Sequence, residues 1–169
     1  VLFNMSTLEA LPHSGRLQFR EIMTDDFVML HRPGHPVAAR DTRFETLLAH
    51  PWAFPGYLDY LDGQLPDGMR EALAEAGAPH YTLYSPTSCM NLSMATDVLT
   101  VMPLSLAVPN LESGRLGGKR IPGLPKYRIG AAYKKDAALE PNISAFLASL
   151  ATAARKLQRG SAGRLKALG

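Results

Sequence analysis

Asp26-Phe-Val-Met-Leu-His-Arg-Pro-Gly-His-Pro36, continued by Val37-Ala-Ala-Arg-Asp-Thr-Arg-Phe-Glu-Thr-Leu-Leu-Ala-His-Pro-Trp-Ala-Phe-Pro-Gly56, decides the fold. Phe27-Val-Met-Leu30 is apolar enough for a buried strand. His31-Arg-Pro-Gly-His-Pro36 is neither helix nor central strand, because two prolines and a glycine break both. Thr42-Arg-Phe-Glu45 reads as a capping box, with the Thr hydroxyl and the Glu carboxylate each meeting the other's backbone amide. The helix it opens carries Phe44, Leu47 and Leu48 on one side and stops before Pro51. Trp52-Ala-Phe54 is a second short strand, closed by Pro55-Gly56.

The pattern repeats on both sides. Leu17-Gln-Phe-Arg-Glu-Ile22 alternates as a strand, whereas residues 1–16 show little periodicity. Leu58 to Gly63 reads as a loop. Pro66 to Ala76 reads as a helix with Met69, Leu73 and Ala76 on one face and Gly77 as its stop. His80-Tyr-Thr-Leu-Tyr84 is a strand. Ser85-Pro-Thr-Ser88 is a turn that opens a helix over Cys89 to Ala95. Val98-Leu-Thr-Val-Met102 suits a strand buried on both faces, as in a parallel sheet. One helical turn is expected over Pro103 to Ala107. Tyr127-Arg-Ile-Gly-Ala-Ala-Tyr133 alternates again. Pro141 fits the first turn of a last helix whose apolar stripe is Leu147, Leu150, Ala154 and Leu157. Strands alternating with helices imply an α/β fold with a largely parallel sheet.

Length and composition bound the class. A chain of 169 residues buries one sizeable core or two small lobes. No apolar run approaches the roughly 18 residues of a membrane span, and no signal peptide is visible. With Cys89 as its one cysteine, no internal disulfide forms, so the reading is cytoplasmic, with no membrane. The net charge of +3 raises a nucleic-acid reading. Arg155, Lys156, Arg159, Arg164 and Lys166 lie beyond residue 154 with no acid; the eighteen basic residues less these five leave thirteen against fifteen acidic ones in residues 1–154. The body therefore has no basic excess for a phosphate backbone, and the charge belongs to the C-terminal stretch, which ends in a flexible basic tail, 158–169.

In its ordered set of motifs the chain resembles the effector-sensing domain of LysR-type transcriptional regulators. The carriers are the Arg-Pro-Gly-His-Pro turn, the Leu-rich helix and Pro-Trp strand after it, and Met69-Arg-Glu-Ala-Leu-Ala-Glu-Ala-Gly77. Asp97-Val-Leu-Thr-Val-Met-Pro-Leu-Ser105, Leu111-Glu-Ser-Gly-Arg-Leu116 and the segment from Ile129 to Leu147 continue the likeness, which spans roughly residues 17–157. One local departure is Ala95-Thr-Asp97, where many members have Gly-x-Gly. The resemblance implies a type-2 periplasmic-binding-protein-like α/β fold with one complete lobe and part of a second. Residues 1–30 would end the first lobe and cross over, 31–115 would form the second lobe, and 116–157 would return to the first. The effector would sit between the lobes, whose closure changes how paired domains pack. The partners implied are a small-molecule effector, of organic-carboxylate type, and further copies of the chain in a dimer or tetramer. DNA would be bound only through an N-terminal domain absent from this sequence. A partial first lobe also implies exposed apolar surface.

Two segments are the candidate effector site. Ser85, Pro86, Thr87 and Ser88 place small hydroxyls and unpartnered amides at a helix start, where the dipole favours anions. The bland alternative makes Thr87 or Ser88 a simple N-cap. Phe54, Pro55 and Gly56 end a strand, and in open α/β sheets ligands sit beyond the carboxyl ends of strands. Their alternative is a plain turn, and Thr100 and Met102 read as core. Cys89 could be a nucleophile only with a base and a lowered pKa; its helix start would lower the pKa, but the residue type points to a small core side chain. His31 and His35 have the spacing of a helical metal pair, but Pro33 and Gly34 forbid the helix, so no metal is expected. No cofactor and no catalytic residue are expected either. The rivals are a solute-binding protein of a transport system and a small hydrolase using Cys89.

Overall fold

The computed structural model describes residues 1–10, 12, 14–39, 43–56, 65–136 and 140–168. In chain order the elements begin with β1 (Leu2–Asn4), α1 (Met5–Glu9), β2 (Leu17–Asp25), β3 (Phe27–His31), α2 (Phe44–Leu47) and β4 (Trp52–Pro55). They continue with α3 (Asp67–Glu75), β5 (Tyr81–Leu83), α4 (Pro86–Ala95), β6 (Leu99–Pro103), α5 (Leu104–Glu112), β7 (Gly117–Lys119), β8 (Tyr127–Lys134) and α6 (Pro141–Ala167). Short 3-10 turns cover Ser14–Arg16 and Pro36–Ala39. The chain divides into two compact units, Val1–Asp25 with Lys126–Arg164, and Asp26–Pro125 with Leu165–Gly169. These divisions fall at 25/26 and 125/126, where the sequence reading placed its boundaries at 30/31 and 115/116.

In the first unit the sheet order is β1-β8-β2, antiparallel throughout. Asn4 caps α1: its Oδ1 accepts from the amides of Ser6 at 2.9 Å and Thr7 at 3.4 Å. Met5 and Leu8 of that helix are buried against Ala132, with Leu17 and Phe19 alongside. Gly130 permits the approach, since a Cβ there would run into the Met5 sulfur. Val1, Leu2, Phe3, Phe146 and Leu157 remain exposed. Leu157 was expected in the buried stripe of the last helix; Leu147 and Ala154 are buried and Leu157 is not.

In the second unit the order is β5-β4-β6-β3-β7. β4 lies parallel to both β5 and β6, and β3 lies antiparallel to β6 and β7. The sheet is mixed, not largely parallel. A fully buried strand reads as apolar in either direction, and both β3 and β6 are buried along their whole length. Val28, Leu30, Ala53, Met90, Met102 and Leu104 form its core. Trp52, 1% exposed, donates its indole N–H to the Leu47 carbonyl at 3.0 Å and so ties α2 to β4. Thr100 donates its hydroxyl to the Ala53 carbonyl at 2.7 Å, a core role as the sequence suggested.

Several local expectations meet the structure directly. α3 ends as expected: Gly77 has φ +64°, its amide donates to Ala74 at 3.0 Å, and that of Ala78 donates to Leu73 at 2.9 Å. Two expectations fell short. α5 runs nine residues rather than one turn, carrying Pro109 inside it. α6 continues through the stretch expected as a tail, to Ala167. Gly160 and Gly163 each cost about 1 kcal/mol against alanine, but the Ala, Leu, Arg, Lys and Gln around them favour helix. Thr42 and the loop from Leu58 to Gly63 lie outside the described residues; α2 itself has Arg43 at its N-cap position, with no side-chain cap.

Gly117 faces His31 across the β3–β7 pair, and a Cβ there would collide with the imidazole. Gly117→Ala should therefore lower stability by about 1–3 kcal/mol, as overpacking does. Gly68, inside α3 with nothing near its Cβ position, should give the opposite sign: Gly68→Ala gains about 0.5–1 kcal/mol. Urea unfolding followed by circular dichroism measures both, and equal signs would refute the packing account of Gly117.

Candidate functional site

The candidate site is built on the parallel strands of the second unit. β4 and β5 pair with Phe54 opposite Thr82 and Pro55 opposite Leu83, so both strands end at the same side of the sheet. Gly56 lies where a Cβ would be 3.6 Å from the Thr82 methyl and 4.0 Å from the Leu83 carbonyl. Directly after β5, Tyr84 projects fully into solvent and the chain turns into α4. The structure thus brings the two candidate segments, Phe54–Gly56 and Ser85–Ser88, to the ends of adjacent strands. Pro55 is buried, Phe54 is half-buried with its ring edge-on to Trp52 at 5.8 Å, and Thr87 and Ser88 are exposed.

The N-cap of α4 is Ser85, not Thr87 or Ser88. Its side chain makes no capping hydrogen bond, and Pro86 occupies the first turn, where it has no amide to offer. The Cys89 amide is the first to close the helix, donating to the Ser85 carbonyl at 3.1 Å. Among the described residues no backbone or capping group accepts from the amides of Thr87 and Ser88. These two donors and two exposed hydroxyls sit at the positive end of a ten-residue helix.

Thr82 and Tyr84, at the same end of the sheet, were not singled out by sequence reasoning. The alternation of the strand places Thr82 and Tyr84 on one face, but nothing in the sequence says which face is open.

Cys89 is fully buried, and burial is the larger influence on its thiol, pushing the pKa up; the Thr100 hydroxyl opposes this. The expected lowering by the helix start is therefore overturned by desolvation. A buried thiol with a raised pKa lacks the thiolate character that nucleophilic catalysis needs.

The Arg-Pro-Gly-His-Pro turn is a clasp. Arg32 Nε donates to Asp97 Oδ1 at 2.7 Å, and its Nη2 lies 2.7 Å from the same oxygen. The His35 Nδ1 accepts from the Val37 amide at 3.0 Å, and its Nε2 donates to the Asp97 carbonyl at 3.2 Å. His31 Nδ1 donates to the Arg32 carbonyl at 2.8 Å. Gly34, at φ +73°, makes the reversal possible. The departure Ala95-Thr-Asp97 also finds its reason here. Thr96 is extended, its hydroxyl donates to Leu92 at 2.7 Å and accepts from the Val98 amide at 3.2 Å, and Asp97 receives Arg32. No glycine is needed for that geometry. Among the described residues no cluster of three or more His, Cys, Asp or Glu is placed to hold a metal ion, and no helix is long and apolar enough to cross a membrane.

A profile of the family described as LysR substrate binding domain matches residues 7–155. The chain belongs to the LysR substrate-binding domain family. It is accordingly an effector-sensing regulatory domain of the LysR type, and the transport reading falls away. Among solved structures, a transcriptional regulator from Vibrio parahaemolyticus is 15% identical, with a TM-score of 0.71 over 92% of this chain and 71% of that one. The regulatory domain of MetR, a LysR family regulator from N. meningitidis, is 16% identical, with a TM-score of 0.61 over 95% of this chain and 70% of that one. The effector-binding domain of QuiR, solved with shikimate, is 17% identical, with a TM-score of 0.64 over 86% of this chain and 69% of that one. At these identities the likeness is one of fold, the type-2 periplasmic-binding-protein-like α/β fold. No curated protein sequence matches the chain.

The clasp carries a pH signature. Burial holds His31 below the ordinary 6.5; the Arg32 carbonyl opposes this, and His35, Lys119 and Arg32 add to the lowering. The unfolded chain binds this proton first, so the stabilising contribution is present above pH 6.5 and is lost as the pH falls through the lowered folded value. Urea midpoints measured between pH 7.5 and 5 should fall less steeply in His31→Gln than in the parent chain. Identical slopes would remove His31 from the account.

Proposed function

We propose that the LysR-type domain senses a small organic carboxylate at the carboxyl ends of β4 and β5. The carboxylate accepts from the amides and hydroxyls of Thr87 and Ser88. Ser85 and Pro86 shape the turn, and Phe54, Pro55 and Gly56 form the neighbouring wall. The single observation that carries this reading is the convergence of an uncapped helix N-terminus with the adjacent strand end. Ligands of open α/β sheets occupy this end, and a helix start with open amides suits an anion. That the related QuiR domain is solved with shikimate, a carboxylate, supports the chemical class.

The regulatory logic follows. An effector that binds one conformation of the domain better shifts the population toward it, and the shift is read out by how copies of the regulator associate. The output is DNA binding by a separate domain of the parent regulator, working in the cytoplasm as a dimer or tetramer. Leu2, Phe3 and Phe146, exposed on the first unit, suit such association. The domain acts by binding and carries out no catalysis.

Ser88→Asp separates the site from the fold. A carboxylate in the first turn complements the dipole and should raise stability by about 0.5 kcal/mol, while repelling an anionic effector. A thermal-shift screen of small carboxylates, shikimate included, would identify a ligand for the parent chain. Its Kd by calorimetry should then weaken at least tenfold in Ser88→Asp, with Thr87→Ala losing less. Undiminished affinity in Ser88→Asp would move the effector elsewhere.

A further inference from the structure

A cavity lies in the first unit. It has a volume of about 450 Å³ and is lined by Pro12, Arg16, Leu17, Lys134, Lys135 and Asp136. That is ample for a small ligand. Its position follows from the register: Leu17 pairs with Lys134 at one end of the β2–β8 ladder, and Asp25 pairs with Tyr127 at the other. The chain passes to the second unit after Asp25 and returns at Lys126. Eight residues of strand, about 25 Å at roughly 3.3 Å each, separate the cavity from those crossing points. All of its described lining residues belong to the first unit, and none belongs to the site at the ends of β4 and β5.

The charge at the cavity is unbalanced. Among the described residues lining it, three cations accompany one carboxylate, Asp136. Arg128 of the same unit, by contrast, is paired: it lies 2.8 Å from Glu21 and 3.5 Å from Glu9. Among the described residues no carboxylate forms an ion pair with Arg16, Lys134 or Lys135. Like charges gathered around one concavity repel, and the concave wall focuses their field on whatever enters. A bound anion relieves that repulsion. Arg16 brings a planar fork able to hold two oxygens, whereas the lysines bring point charges. Pro12 and Leu17 add apolar wall.

We infer that this cavity binds a compact dianion, a short dicarboxylate or a phosphate monoester, as a site separate from the effector site. Two negative charges suit the excess of cations among the described lining residues. Arg16 takes one oxyanion group bidentately, and Lys134 and Lys135 hold the remaining charge. Asp136 limits affinity and disfavours larger anions that would reach it.

The test is titration of the 169-residue chain with succinate and, separately, inorganic phosphate at constant ionic strength, followed by amide shifts in NMR spectra. The expected result is saturable binding of at least one probe, with shifts centred on residues 16–17 and 134–136. Saturation by succinate alone would name the dicarboxylate, and by phosphate alone the phosphate ester. Lys134→Gln/Lys135→Gln should weaken binding at least tenfold, and Asp136→Asn should tighten it. These side chains are exposed, so the variants keep the fold, which circular dichroism checks. Ser88→Asp should leave this binding untouched, so the two sites fail or stand independently. Shifts that grow linearly without saturating, or binding that persists undiminished in the double lysine variant, would overturn the inference.

Discussion

The structure depends on the ring of His35. It is buried, and both of its nitrogens are committed: one accepts the Val37 amide and the other donates to the Asp97 carbonyl. A neutral imidazole has one donor and one acceptor, so this pairing satisfies it fully and fixes the tautomer. The ring thereby fastens the end of β3 to the start of β6, and the Arg32–Asp97 pair closes the same joint from the solvent side. That outer pair is partly exposed and worth no more than about 1 kcal/mol, so the buried ring is the stronger fixture. Everything downstream is set from β6. Its Thr100 and Leu99 register β4, β4 registers β5, and β5 delivers the chain to the start of α4.

Much of this was legible before any coordinates. The Pro-Gly-His-Pro reversal, the strands on either side of it, the stop at Gly77 and the last helix all rest on local chemistry that a sequence states outright. Strand direction does not. β3 and β6 are apolar along their whole length because both faces are covered, and that pattern is the same for parallel and antiparallel neighbours. The nine-residue α5 was hidden by Pro109, a residue that usually ends helices. α1 was hidden by its brevity: five residues capped by Asn4 leave no periodicity to detect.

The candidate site was legible in parts and not as a whole. Ser85-Pro-Thr-Ser88 announces a helix start, and Phe54-Pro-Gly56 announces a strand end, each from its own residues. That they stand side by side is a fact of pairing between β4 and β5, separated in sequence by α3. Which residue takes the N-cap position was also beyond local reading. Thr87 and Ser88 are better N-caps by residue type than any other use suggests, yet Pro86 in the first turn moves the cap back to Ser85. With Ser85 making no side-chain cap, the first-turn donors stay open where a spent cap would have closed them.

α4 joins that open end to the clasp. Its ten residues span about 15 Å, from the uncapped start at Ser85 to Thr96, next to Asp97. Cys89, Met90 and Ser93 are buried along the way, so the helix is packed into the body rather than laid on its surface. A close-packed helix does not shift alone, because its neighbours fill the space around it. Any displacement at its first turn therefore involves the helix and sheet together. The raised pKa of Cys89 belongs to the same argument: the burial that pushes up the thiol is the burial that packs α4 into the second unit.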